Sequence, residues 1–171
     1  MLAKCEGRVE KNQPNPRDSQ STESADALIC CPERETRGMA NVLIVDDDPD
    51  TVELSTELLQ SAGHRIQTGY NGEQGLTSMD RGPLPDCVLL DVDMPVLSGP
   101  EMVHRMLLHD AGEENIPILL VSGRGDLSEV ARRMGTPYFL AKGSPDYGEA
   151  LLRILDRALS ERRAPATARS P

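Results

Sequence analysis

The sequence predicts a doubly wound α/β fold, with a five-stranded parallel sheet and helices on both faces. Short aliphatic, β-branched runs recur along the middle of the chain, as expected of strands buried on both faces. Between them lie stretches with apolar residues at helical spacing. Acidic, hydroxyl and ammonium side chains stand directly after the apolar runs. Right-handed crossovers would bring those strand ends to one rim, where ligands gather in such sheets.

The elements follow in order. Asn41–Val45 (NVLIV) reads as the first strand. Asp48 and Pro49 open a helix, Asp48 as its N-cap and Pro49 at the first helical position. Leu54, Leu58 and Ala62 are expected on its apolar face, with Gly63 ending it. A short strand near Arg65–Thr68 and a weak helix from about Gly72 to Asp80 come next. Cys87–Leu90 (CVLL) reads as a buried strand, and Cys87 as a small core residue. About Gly99 to His109 is helical, with Met102, Val103, Met106 and Leu107 on one side. Residues 116–121 read as the fourth strand. A short helix from about Asp126 to Met134 carries Leu127, Val130, Ala131 and Met134. Tyr138–Ala141 reads as the fifth strand. Tyr147, Leu151, Ile154, Leu155 and Ala158 form the stripe of the last helix.

This places one domain over residues 39–160. Residues 1–38 are polar, with Pro14, Pro16 and a stretch rich in Ser, Thr, Asp and Glu, and are expected to be a disordered leader. Met39, just before the first strand, is an alternative start. Residues 161–171 are expected to be a disordered tail, with no output domain after residue 160. Cys5, Cys30, Cys31 and Cys87 match no zinc spacing. The adjacent Cys30 and Cys31 are either reduced thiols on a loose segment or a pair responsive to metal or redox state. Lys and Arg total 18 against 28 Asp and Glu, a formal charge of −10 concentrated in the middle of the chain. Such a domain repels phosphate backbones, which argues against direct nucleic-acid binding. No apolar run suits a membrane span and no signal peptide is evident, so a cytoplasmic location is expected.

Asp46, Asp47 and Asp48 follow the first strand. Asp91 and Asp93 follow the third, Ser122 the fourth and Lys142 the fifth. Clustered carboxylates need a cation or a proton to coexist. Mg²⁺ suits them, since it takes one or two carboxylates, keeps waters and accepts phosphate oxygens. A hydroxyl and an ammonium suit a phosphoryl group, as donor and counter-charge. A carboxylate beside the metal can itself attack phosphorus to give an aspartyl-phosphate. Taken singly, each residue has a plainer role: Asp48 as a helix cap, a lone lysine as a solvated charge. Their placement at successive strand ends favours a site.

The runs VLIVDDDPD, CVLLDVDMPVLSG, PILLVSG and FLAK, in that order, resemble the response-regulator receiver domain, of flavodoxin-like fold. The segment YNGEQGL also resembles that family's second-helix start, and the likeness covers about residues 41–159. It implies phosphorylation at Asp91, with Mg²⁺ on Asp47 and Asp91, Asp46 holding metal-bound water and Asp93 giving its backbone carbonyl. It implies that Ser122 and Lys142 contact the phosphoryl group. Phe139 takes the aromatic switch position, against a plain reading as a core aromatic. Implied partners are a sensor histidine kinase or histidine phosphotransfer protein and a downstream protein effector. The domain would catalyse only its own phosphorylation and dephosphorylation.

Gly143 departs from the family, which has a proline after the lysine, commonly in a cis bond. The stretch Ser122-Gly123-Arg124-Gly125 is expected to be mobile. Two rival readings stand beside the receiver. One is a non-phosphorylated pseudo-receiver that only binds. The other is a haloacid-dehalogenase-type phosphatase, suggested by Asp91-Val92-Asp93, although that class usually carries its Asp-x-Asp on the first strand.

Overall fold

The alternation along the sequence becomes alternation in space. In chain order come β1 (Asn41–Val45), α1 (Pro49–Ser61), β2 (Arg65–Gly69), α2 (Gly72–Arg81) and β3 (Cys87–Asp91). Then come α3 (Gly99–Leu108), β4 (Ile118–Ser122), α4 (Leu127–Met134), β5 (Tyr138–Ala141) and α5 (Tyr147–Arg163). The computed structural model describes residues 38–108 and 115–163. The expected leader with Cys5, Cys30 and Cys31, residue His109 and the end of the expected tail lie outside the described residues.

The five strands are parallel, in the order β2-β1-β3-β4-β5. Successive side chains of a strand point to opposite faces. Val42, Ile44, Cys87, Leu89, Leu119 and Val121 therefore face one way, onto Val52 and Leu59 of α1 and Leu151, Leu155 and Ala158 of α5. Leu43, Val45, Val88, Leu90 and Leu120 face the other way, onto Met79, Met102, Met106, Leu127 and Ala131. Two apolar layers thus cover the central strands β1, β3 and β4, which explains why these strands read as apolar runs, whereas edge strand β2 (RIQTG) is largely open to solvent.

Five expectations need correction. β4 starts at Ile118, because Pro117 has no N–H for a ladder; its carbonyl still accepts from the Val88 N–H at 3.0 Å. Leu54 is exposed, and α1 buries Val52, Ser55 and Leu59 instead. A polar residue enters that face because Tyr147 supplies its partner. Leu107 is also exposed, since only Met102, Val103 and Met106 reach the core from α3. Phe139 is no core aromatic. The pleat of the edge strand β5 turns Tyr138 and Leu140 inward and leaves Phe139 42% exposed. Finally, α5 runs past residue 160 to Arg163. Arg157 holds Glu161 at 2.8 Å, and Arg162 donates to the Pro85 carbonyl at 3.1 Å, so the last turn is tied down.

Candidate functional site

Strand register assembles the site. Val45 pairs with Leu90, so Asp46 and Asp91 emerge level from adjacent strands. Asp91 pairs with Val121 and Ser122 with Ala141, which brings Ser122 and Lys142 to the same rim one step further on. The chain leaves β1 toward β2 on one side and returns to β3 on the other. The acidic groups therefore sit at the switch point of the sheet, where doubly wound folds bind their ligands.

Carboxylate oxygens of Asp46, Asp47 and Asp91 lie within 4.8 Å of one another, a group able to hold a metal ion. Asp46 and Asp91 are buried, and Asp47 is exposed at the mouth. Lys142 lies across them: its Nζ is 2.8 Å from Asp91 Oδ2 and 2.8 Å from Asp46 Oδ2. Asp91 Oδ1 accepts from the Val92 N–H at 2.7 Å, and Asp46 Oδ1 from the Asp48 N–H at 2.9 Å. Asp48 itself caps α1, taking the Asp50 N–H at 3.2 Å and the Thr51 hydroxyl at 2.6 Å, as expected. Ser122 is buried, and its carbonyl accepts from the Lys142 N–H at 3.0 Å.

Burial holds the Asp46 carboxyl above the ordinary aspartate range, against the opposing pull of Lys142 and the Asp48 N–H. Burial pulls the Lys142 ammonium down, but its bonds to Asp46 and Asp91 outweigh that and leave it raised. The two shifts have different main causes: burial for Asp46, and the bonds to two carboxylates for Lys142. A consequence follows for the metal-free protein. Asp46 has a folded-state pKa above the unfolded value of 3.8, so the native state keeps this proton longer. Stability therefore falls as pH rises from 3.8 through the folded pKa, and ionised Asp46 opposes folding at neutral pH. Asp46→Asn should raise stability in EDTA at neutral pH by about 1 kcal/mol, the scale of relieving a functional site. Urea midpoints over a pH series check this; a midpoint no higher than the parent's contradicts it.

The loop after β3 is strained. Val96 has φ +70, and the Leu97 N–H bonds the Pro95 carbonyl at 2.8 Å, a γ-turn that β-branched residues rarely enter. Buried Met94 and Leu97 hold it on either side. α3 then starts against the site itself: a Cβ on Gly99 would collide with the Asp91 carbonyl oxygen, so only glycine fits there.

Sequence reasoning missed Arg124. Its guanidinium donates to Asp126 at 2.7 and 2.8 Å and to Asp93 at 3.2 and 3.3 Å. The Asp93 side chain, 61% exposed, therefore stands outside the three-carboxylate group. The stretch expected to be loose is pinned at its centre, and Asp126 makes no side-chain cap on α4 because Arg124 occupies its carboxylate. A lone cation between two glycines beside an acidic rim was the available signal.

A family model described as the response regulator receiver domain matches residues 42–151. Protein PilH of Pseudomonas aeruginosa is 33% identical over 124 residues, covering 71% of this chain and 99% of PilH. The C4-dicarboxylate transport transcriptional regulatory protein DctD of the same species is 34% identical over 71% of this chain, which spans only 26% of DctD. Among solved structures, the chemotaxis protein CheY4 of Vibrio cholerae is similar with TM-score 0.62 and 28% identity, over 70% of this chain and 98% of that one.

Proposed function

Because the chain belongs to the response-regulator receiver family, we propose that Asp91 is its phosphoacceptor and that Lys142 and Ser122 serve the transfer. The observation that carries this is the Asp46, Asp47 and Asp91 carboxylate group with Lys142 Nζ 2.8 Å from Asp91. As a receiver, the domain is a signalling module that handles its own phosphoryl group, unlike a classical turnover enzyme. The haloacid-dehalogenase reading falls with the family match; in addition, its Asp-x-Asp begins at the end of the third strand, β3, and the acid it needs, Asp93, is engaged by Arg124.

The donor set suits a hard divalent cation. It is all oxygen, and three carboxylates against one ammonium leave an excess that Mg²⁺ would balance. Asp46, Asp47, Asp91 and the Asp93 carbonyl would hold the ion, which when bound neutralises charge on the transferring group. Asp91 then forms a bond to phosphorus while the bond to the donor's imidazole nitrogen breaks, its electron pair leaving with the imidazole. Lys142 shifts its ammonium from the Asp91 oxygen to the phosphoryl oxygens. Ser122 donates its hydroxyl to another of them. The space it vacates admits the ring of Phe139, which turns inward from its exposed position on β5. This is a population shift between two arrangements, biased by the new charge.

The donor in this reading is a sensor histidine kinase or a histidine phosphotransfer protein, and the output is docking to a protein effector or onward transfer. The acidic charge of −10 opposes nucleic acid as a direct partner. Among the described residues no helix is long and apolar enough to cross a membrane.

Beryllofluoride with Mg²⁺ mimics the phosphoryl group and separates a working switch from a pseudo-receiver. Titration followed by amide NMR should saturate, with the largest shifts at Ser122, Phe139 and Lys142. A spectrum unchanged at saturating reagent would make the domain an inert binding module.

A further inference from the structure

α1 and α5 meet through a buried polar contact that apolar packing alone does not require. Ser55 on α1 is 0% exposed, and its Oγ lies 3.0 Å from the hydroxyl of Tyr147, the buried first residue of α5. A buried hydroxyl without a partner is costly, so each member holds the other at a defined place. The contact also sits at a telling position. α1 begins directly after Asp46, Asp47 and Asp48, and α5 begins just after the loop that carries Lys142.

That loop has little to hold it. No peptide bond among the described residues is cis, and Gly143 takes φ +79, a conformation closed to proline. Nothing lies within 4 Å of where a Gly143 Cβ would stand. The Ser144 N–H reaches the Ala141 carbonyl only at 3.4 Å. The loop becomes firmly bonded where Tyr147 donates its N–H to the Ser144 carbonyl at 3.0 Å and meets Ser55 through its hydroxyl.

We propose that Ser55 and Tyr147 are a positioning pair for Lys142. By tying the far end of the β5–α5 loop to the helix that follows the acidic run, they hold the ammonium against Asp46 and Asp91. The inference rests on the phosphoacceptor reading of Asp91, yet it can be tested separately.

The experiment uses the full chain with Tyr147→Phe, Ser55→Ala and the double variant. Each single change strands one buried hydroxyl and lowers the urea midpoint. The double change strands none, so the midpoint should return toward the parent's. Two further readouts should stay lost in the double variant. Labelling by acetyl phosphate with Mg²⁺ should run about fivefold slower, the scale of a modest misplacement of a reacting group. The Lys142 amide, which donates to the Ser122 carbonyl, should exchange its hydrogen about tenfold faster, as a locally loosened segment does. If labelling and amide exchange return with stability, the pair is structural only and the proposal is overturned. Amide exchange is read without phosphoryl donor, so it decides the pair even if the parent chain takes no label, a result that would sink the phosphoacceptor reading instead.

Discussion

Asp91→Asn abolishes phosphoryl transfer from acetyl phosphate while leaving the fold intact. The amide keeps the shape of the side chain and can still accept from the Val92 N–H, which lies 2.7 Å from the carboxylate. It has no anionic oxygen with which to attack phosphorus. The loss should be on the order of 10³-fold or more, as for removal of a nucleophile. Asp46 and Asp47 are carboxylates within 4.8 Å, so the result is specific only if they fail to substitute. Asp46 is clamped by Lys142 and the Asp48 N–H, and exposed Asp47 has no comparable ammonium contact, which is why neither should take the label. Radiolabel sensitive to hydroxylamine measures the acyl phosphate directly. Parental labelling of the Asn variant would move the acceptor elsewhere.

Lys142→Ala has the second largest effect, and it acts on two quantities. Removing a charged donor aimed at developing phosphoryl charge should slow labelling about 10²–10³-fold. It also leaves buried Asp46 and Asp91 facing each other without their shared counter-ion. Breaking a fully buried pair costs about 3–5 kcal/mol; partial solvent access, with the Lys142 side chain 22% exposed, reduces the expectation to about 2 kcal/mol. The pH dependence has a definite sign. Lys142 is raised in the fold above the ordinary 10.5, so its stabilisation is complete below 10.5 and is lost as pH rises through the folded value. The variant should lack that alkaline limb, and MgCl₂ should restore part of its stability at neutral pH. Urea unfolding at several pH values, with and without MgCl₂, gives both results. Labelling at the parental rate would remove Lys142 from the transfer.

Much of this was readable before the structure. β1, β3 and β5 are apolar runs short enough to be strands, and helix α1 opens on an Asp-Pro signal with a physical cause. Asp46, Asp47, Asp91, Ser122 and Lys142 were expected at one rim because doubly wound sheets gather chemistry at strand ends, and strand register places them there. Leu54 and Leu107 were misplaced, since helical spacing defines an apolar side without defining its rotation against the sheet. Phe139 went outward because burial on an edge strand depends on what covers each face.

The residues of this chain determined, by local chemistry alone, which segments are strands and helices and which charged groups follow each strand. Tertiary structure alone decided the partners: Lys142 with Asp46 and Asp91, Arg124 with Asp93 and Asp126, Ser55 with Tyr147. The reason is one of range. Backbone preference and periodicity act over a few residues, whereas these contacts join atoms as far as 96 positions apart in the chain, and only strand register sets their distance.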